Sequence, residues 1–159
     1  PFNPVKRSIA IFIAELLQNA IKEQEQNLKL FEFLYNSIRW IDLSKKGYNH
    51  FHLLFMMKLT KHLGFYPMSD VDKEAKYFDL QQGVFRSVAP THCNFIDSEQ
   101  LSAWKQLINV KLETINNLLF SNSLKRKLLQ TMMLYYKLHL IHFKELNSHH
   151  ILQSVFHDE

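Results

Sequence analysis

The chain has 159 residues, a length that fits one domain and lets about 70% of the unfolded chain's surface become buried. Hydrophobic residues make up 47% and charged residues 21%, which excludes disorder, while 3 Gly and 4 Pro are too few for the tight turns of an all-β fold. A net charge of +4 favours acidic partners without identifying one, and a single cysteine, Cys93, excludes an intramolecular disulfide.

The first predicted helix runs from about Val5 to Glu25, because Val5, Ile9, Phe12, Leu16 and Ala20 recur at three- and four-residue spacing, with Ile13, Leu17 and Ile21 beside them. Asn27 is placed to cap a second helix whose stripe is Leu28, Phe31, Leu34, Tyr35, Ile38 and Ile41, stopped by Lys45, Lys46 and Gly47. The short connection makes these two an expected antiparallel pair. A third helix follows Asn49 and ends at Gly64, with Pro67 beyond. It is apolar nearly all round at Leu53 to Met57, as a central helix should be.

Residues 65–96 break the pattern with Pro67, Gly83 and Pro90, and read as a loop holding one small hairpin around Tyr77-Phe78-Asp79-Leu80 and Val84-Phe85. Asp97 with Gln100 has the form of a capping box opening a helix to about Val110, and Leu112 to Phe120 forms a helix or half-helix. Ser121 or Ser123 caps a further helix to about Ile141, and a short one from Ser148 to Phe156 closes the chain. The expected fold is all-α: a compact orthogonal bundle of about six helices in a single domain, 1–159, with one irregular loop or hairpin insertion at about 65–96.

Catalytic chemistry has no foothold. There is no G-x-S-x-G elbow, no Gly-rich phosphate loop and no motif around Cys93. Zinc needs four convergent ligands, and His92-Cys93 has no second pair; His50 and His52 point to different sides, and His139 with His142 lacks a third partner. The expectation is a non-enzymatic chain without cofactor or metal. No apolar run approaches the ~20 residues of a membrane span, and no signal peptide is evident, so the expected compartment is the cytoplasm.

The span 121–144 holds Lys125, Arg126, Lys127, Lys137 and Lys144 and no Asp or Glu. Three cations in the first turn of a helix oppose its dipole by about 0.3 to 1 kcal/mol each. Either the cluster is an ordinary solvated face, or Lys125, Arg126, Lys127 and Lys144 meet phosphates of a nucleic acid, or the basic surface at Lys125 to Lys127 serves a generic helical DNA-binding or protein-interaction domain by meeting phosphates or carboxylates. Among the aromatics, Phe33 is off the main stripe of its helix and is a candidate to line a groove for an apolar peptide end.

Ala14-Glu15-Leu16-Leu17, Leu30-Phe31-Glu32-Phe33-Leu34 and Phe51-His52-Leu53-Leu54-Phe55-Met56-Met57-Lys58-Leu59 come first in a series of short motifs. Leu63-Gly64-Phe65-Tyr66-Pro67, Tyr77-Phe78-Asp79-Leu80, Gly83-Val84-Phe85, Tyr135-Tyr136-Lys137-Leu138-His139-Leu140 and Leu146-Asn147-Ser148 complete it. In this order and spacing, over nearly the whole chain, the series resembles the C-terminal helical domain of RecO recombination mediators, especially the Bacteroides-type branch. The resemblance implies DNA repair and homologous recombination, with single-stranded DNA-binding protein, RecR and single-stranded DNA as partners. It also implies an N-terminal OB-fold outside this chain, in keeping with a sequence that starts at Pro1, and weak DNA binding by this piece alone, in a bacterial, nucleoid-associated setting.

Two family features do not carry over. Four cysteines form a zinc knuckle in some members where residues 65–96 lie, but only Cys93 is present here. The family's lysine and serine before the last helix correspond to Asn147-Ser148. A pocket for the acidic, Phe-ending tail of single-stranded DNA-binding protein is implied at the start of the third helix. Lys45, Lys46 and His50 would meet the acidic tail there, and Phe51 with Phe55 would form the apolar floor.

Overall fold

A computed structural model describes residues 3–22, 25–68 and 74–155. They form six α-helices, α1 (Pro4–Ala20), α2 (Leu28–Leu43), α3 (Phe51–Leu63), α4 (Ser98–Asn109), α5 (Asn122–His139) and α6 (Ser148–Val155). Short 3₁₀ turns at Tyr48–His50 and Leu112–Asn117 and three small strands, β1 (Tyr77–Asp79), β2 (Val84–Arg86) and β3 (Phe95–Ile96), complete the fold. The architecture is the expected helical bundle with an irregular insertion. Among the described residues no helix is long and apolar enough to cross a membrane.

The centre is α3. Residues 51–57 are all buried, so the helix has no solvent face over two turns, and α1, α2, α4 and α5 all pack on it. Gly64 ends it at φ 91°, where the left-handed conformation lets the Phe65 amide reach back to the Thr60 carbonyl at 3.0 Å. Helix α5 is fastened to α3 and its exit by two buried tyrosines: the Tyr135 hydroxyl donates to the Phe65 carbonyl (2.5 Å) and that of Tyr136 to the Met56 carbonyl (2.7 Å).

Three expectations for α1 and α2 need correction. Helix α1 starts at an unforeseen Asn3 cap, whose side chain accepts from the Val5 and Lys6 amides, and ends at Ala20 rather than near Glu25. Beyond Ile21 the sequence turns polar and offers no face to bury, and Glu23 and Gln24 lie outside the described residues. Next, α1 and α2 are not each other's main partners: α1 packs chiefly on α6 and α2 on α3. Finally, α2 buries a different line from the one expected. Leu28, Phe31, Tyr35 and Ile38 are exposed, while Leu30, Phe33, Leu34, Ser37, Trp40 and Ile41 face inward. Apolar residues occupy both sides of α2, so periodicity could not choose between them. The choice was made by aromatic stacking on α3, Phe33 on Phe55 at 5.2 Å and Trp40 on Phe51 at 5.5 Å.

The insertion is a three-stranded antiparallel sheet in the order β2-β1-β3, one strand more than the expected hairpin. Phe78 anchors it in the core against Trp104 (5.3 Å) and Tyr135 (5.9 Å). Its polar centre is Asp79, which accepts hydrogen bonds from the Gln81 and Gln82 amides (2.9 and 3.0 Å), Arg86 Nε (3.1 Å) and His92 Nε2 (3.2 Å). His92 Nδ1 accepts the Asn94 amide at 3.1 Å, so both its ring nitrogens are engaged. Burial pushes the Asp79 carboxyl up, but the Gln82 amide and the His92 and Arg86 side chains outweigh it and leave the group below its ordinary range.

The expected capping box at Asp97 does not form. The chain enters α4 through Ser98 at φ 47°, and Gln100 instead accepts a hydrogen bond from Thr131 of α5 at 2.6 Å. Ser121 does cap α5, accepting from the Leu124 amide at 3.1 Å, and the helix stops at His139, two residues before the expected Ile141. Phe156, placed by the sequence at the end of α6, lies outside the described residues.

Candidate functional site

One face of α3 changes character along its length. Phe51, Leu54, Phe55, Lys58, Lys61 and His62 are spaced by three or four residues and so form a single stripe that begins aromatic and ends basic. Facing it are Phe33 and Ser37 from α2 and Lys111, Leu112 and Glu113 at the start of the second 3₁₀ turn, and together they line a cleft of about 320 Å³. Ser37 is 2% exposed, and its small side chain leaves room where a larger residue would fill the cleft.

The floor is aromatic: Phe33 stacks on Phe55, and Phe55 lies 5.7 Å from Phe51. The imidazole of His62 stacks on Phe33 at 4.7 Å and carries that surface to the rim. On the rim, Lys61 and Lys111 are exposed. Lys58 donates to the Ile108 carbonyl at 2.7 Å, and burial, then the neighbouring Lys61, lowers its pKa from the usual lysine value. Glu113 is the one carboxylate among the lining residues, so the rim is basic in balance. Apolar rings below and cations above suit a peptide that ends in a large apolar residue and carries carboxylates.

Of the residues singled out for this role, Phe51 and Phe55 lie in the cleft and the cations proposed with them do not. Lys45 lines a separate surface hollow with Asn3, Lys6 and Tyr48, and Lys46 is an exposed residue that lines neither. His50 turns its ring edge-on to Phe120 at 5.5 Å. Burial and then the charge of Lys125 lower its pKa to about 4. Lys58, Lys61, His62 and Lys111 were missed. The first three were legible as continuations of the Phe51, Leu54, Phe55 spacing; Lys111 comes from a segment distant in sequence.

The proposed nucleic-acid patch does not form one surface. Lys125 is 3% exposed and faces inward with Leu124, Leu128 and Leu129, while Arg126 is half-buried and Lys127 exposed. Consecutive helical positions turn by about 100°, so three in a row cannot share a face, and the apolar stripe of α5 takes Lys125 inside. There its charge acts on His50 and on the fully buried His52, which packs edge-on against Phe12 at 6.4 Å. Lys144 is exposed in the segment before α6, where its amide donates to Asn19 of α1.

Comparison with known proteins places the chain. The family profile described as recombination protein O C terminal matches residues 1–148. The DNA repair protein RecO of Azobacteroides pseudotrichonymphae is 35% identical over 154 residues, covering 97% of this chain and 64% of that protein. Those of Phocaeicola vulgatus and Bacteroides fragilis are each 36% identical, covering 98% of this chain and 65% of theirs. The chain thus spans less than two thirds of the length of these relatives. No solved structure matches it significantly. With a helical bundle that the profile follows through the first residue of α6, the chain belongs to the recombination protein O C-terminal family.

Proposed function

We propose that this chain is a non-catalytic recruitment module of DNA repair and recombination, and that the α2–α3 cleft holds the acidic, Phe-ending tail of single-stranded DNA-binding protein. The cleft itself supports this reading: an aromatic floor of Phe33, Phe51 and Phe55 beneath a rim of Lys61, His62 and Lys111. The terminal ring of the tail occupies the floor and its carboxylates meet the rim. Contacts to RecR and to single-stranded DNA belong to the same reading, the latter aided by the part of the relatives' length outside this chain.

The test is a fluorescence-anisotropy titration of a labelled acidic tail peptide against the chain, beside a peptide lacking the terminal Phe. Removing the ring should weaken binding by about 2 to 3 kcal/mol, a factor of tens or more, since most of its apolar area is buried in the cleft. Lys61→Glu with Lys111→Glu should weaken binding at least tenfold and flatten its salt dependence, whereas Lys45→Glu should change little. Equal binding of the two peptides, or a larger effect at Lys45 than at the rim, would refute the assignment.

A further inference from the structure

Glu145, just before α6, and His149 and His150, in its first turn, form a group of which no member lines the cleft. One potential ligand atom of each lies within 4.8 Å of those of the other two. The two imidazoles are sequence neighbours, yet their ring centroids are 3.8 Å apart. Successive side chains in a regular helix diverge by about 100°, so the two rings lean toward one another rather than pointing apart.

His149 is the fixed member of the group. It is 8% exposed, and its Nδ1 lies 2.8 Å from the Leu146 carbonyl. A carbonyl oxygen only accepts, so the proton sits on Nδ1 and Nε2 carries the lone pair. Metal-binding histidines characteristically have this arrangement, one ring nitrogen donating to a carbonyl and the other left as the ligand. The backbone beneath is held from another helix: Glu15 of α1 accepts the Asn147 and Ser148 amides at 2.7 and 2.8 Å, and the Ser148 hydroxyl as well. Burial pushes Glu15 up, and these bonds more than offset it, leaving the carboxyl below its ordinary range. Glu145 and His150 are exposed and free to adjust.

We infer that Glu145, His149 and His150 bind a late first-row divalent cation such as zinc, through two imidazoles and one carboxylate with a fourth position open. In a tetrahedral site with bonds of about 2.0 to 2.1 Å the ligand atoms stand roughly 3.4 Å apart, so from separations within 4.8 Å the group contracts by at most about 1.4 Å. Rotation of the exposed Glu145 and His150 side chains supplies that. Two imidazoles select zinc, nickel or copper over magnesium and calcium, which require oxygen ligands. A bound ion would tie the loop before α6 to the helix itself, reinforcing the hold of Glu15 on the same turn. The site is independent of the insertion, where His92 is engaged at both nitrogens and Cys93 is exposed.

Zinc chloride titrated into the 159-residue chain in a calorimeter, with magnesium chloride as the control, tests the inference. The expected result is saturation at one zinc per chain, no response to magnesium, and a zinc-dependent rise in the thermal midpoint. His150→Ala and Glu145→Gln replace exposed residues, so the metal-free melt should be unchanged while zinc affinity falls at least about tenfold in each. Cys93→Ser should bind zinc as the parent does, and cobalt in place of zinc should give visible absorption without a thiolate charge-transfer band. Absence of saturable zinc binding, undiminished affinity in both the His150 and Glu145 variants, or loss of binding in Cys93→Ser would overturn it.

Discussion

Lowering the pH from 7.5 to 5 should destabilise this protein before its carboxylates begin to titrate, and His52 is the main reason. It is fully buried, and desolvation, then the charges of Lys125 and His50, lower its pKa from 6.5 to about 3. A histidine that resists protons in the native state favours folding fully only above its unfolded pKa. As pH falls below 6.5 the unfolded chain takes up a proton that the native chain refuses, and stability drops until the folded pKa is reached. At pH 5 the unfolded imidazole lies 1.5 units below its pKa, so at 1.36 kcal/mol per unit His52 removes about 2 kcal/mol. His50 follows the same arithmetic with a pKa of about 4, but it is partly exposed, and solvent screening reduces its share to about 1 kcal/mol. Together these withdraw about 3 kcal/mol, a large part of the 5 to 15 kcal/mol typical of a domain. Glu15 and Asp79 have lowered pKa values, so their stabilisation is present above the ordinary carboxylate range and is lost mainly below pH 5. Urea denaturation followed by circular dichroism at half-unit pH intervals gives the slope. His52→Leu and His52→Gln should each remove about two thirds of the loss between pH 7.5 and 5, whatever they do to stability at pH 7.5. If both variants lose as much as the parent over that interval, the argument from burial is wrong.

Other consequences follow from burial and hydrogen bonding. Asp79→Asn removes a carboxylate that is 3% exposed and serves four donors, and should cost about 2 to 3 kcal/mol in urea melts while the helical signal of the native state persists. Lys125→Ala should destabilise by about 1 to 2 kcal/mol through lost packing of its stem, whereas Lys127→Ala should stay within about 0.5 kcal/mol; equal effects would refute the inward orientation of Lys125. The tail-peptide titration with the Lys61 and Lys111 variants separates the cleft from the Lys45 hollow.

The helical class, the stop at Gly64, the Asn27 and Ser121 caps and the central place of α3 were legible in the sequence, because each depends on spacing or on a residue with a special backbone role. Helix α2, by contrast, ends at Leu43, short of the expected stop at Lys45, Lys46 and Gly47, and Gly47 opens the next 3₁₀ turn. The position of Phe33 off the main stripe of its helix was also legible, whereas Phe51 and Phe55 were expected together in a pocket only through the family resemblance. The basic half of the cleft was written in the stripe of Phe51 and Phe55, at Lys58, Lys61 and His62. Periodicity shows which residues share a face but not where on that face the core gives way to solvent.

What only the tertiary structure decided were choices between near-equivalent local options. Helix α2 has apolar residues on two sides, and stacking of Phe33 and Trp40 on α3 selected one of them and left Phe31, Tyr35 and Ile38 exposed. Lys125, Arg126 and Lys127 look alike as a run, but the apolar stripe of α5 turned the first inward. Lys111 beside Lys61, and Glu15 beneath the turn that carries His149 and His150, join segments far apart in the chain. Local sequence sets propensity and spacing over a few turns; such long-range meetings are fixed by how the helices bury their faces against one another.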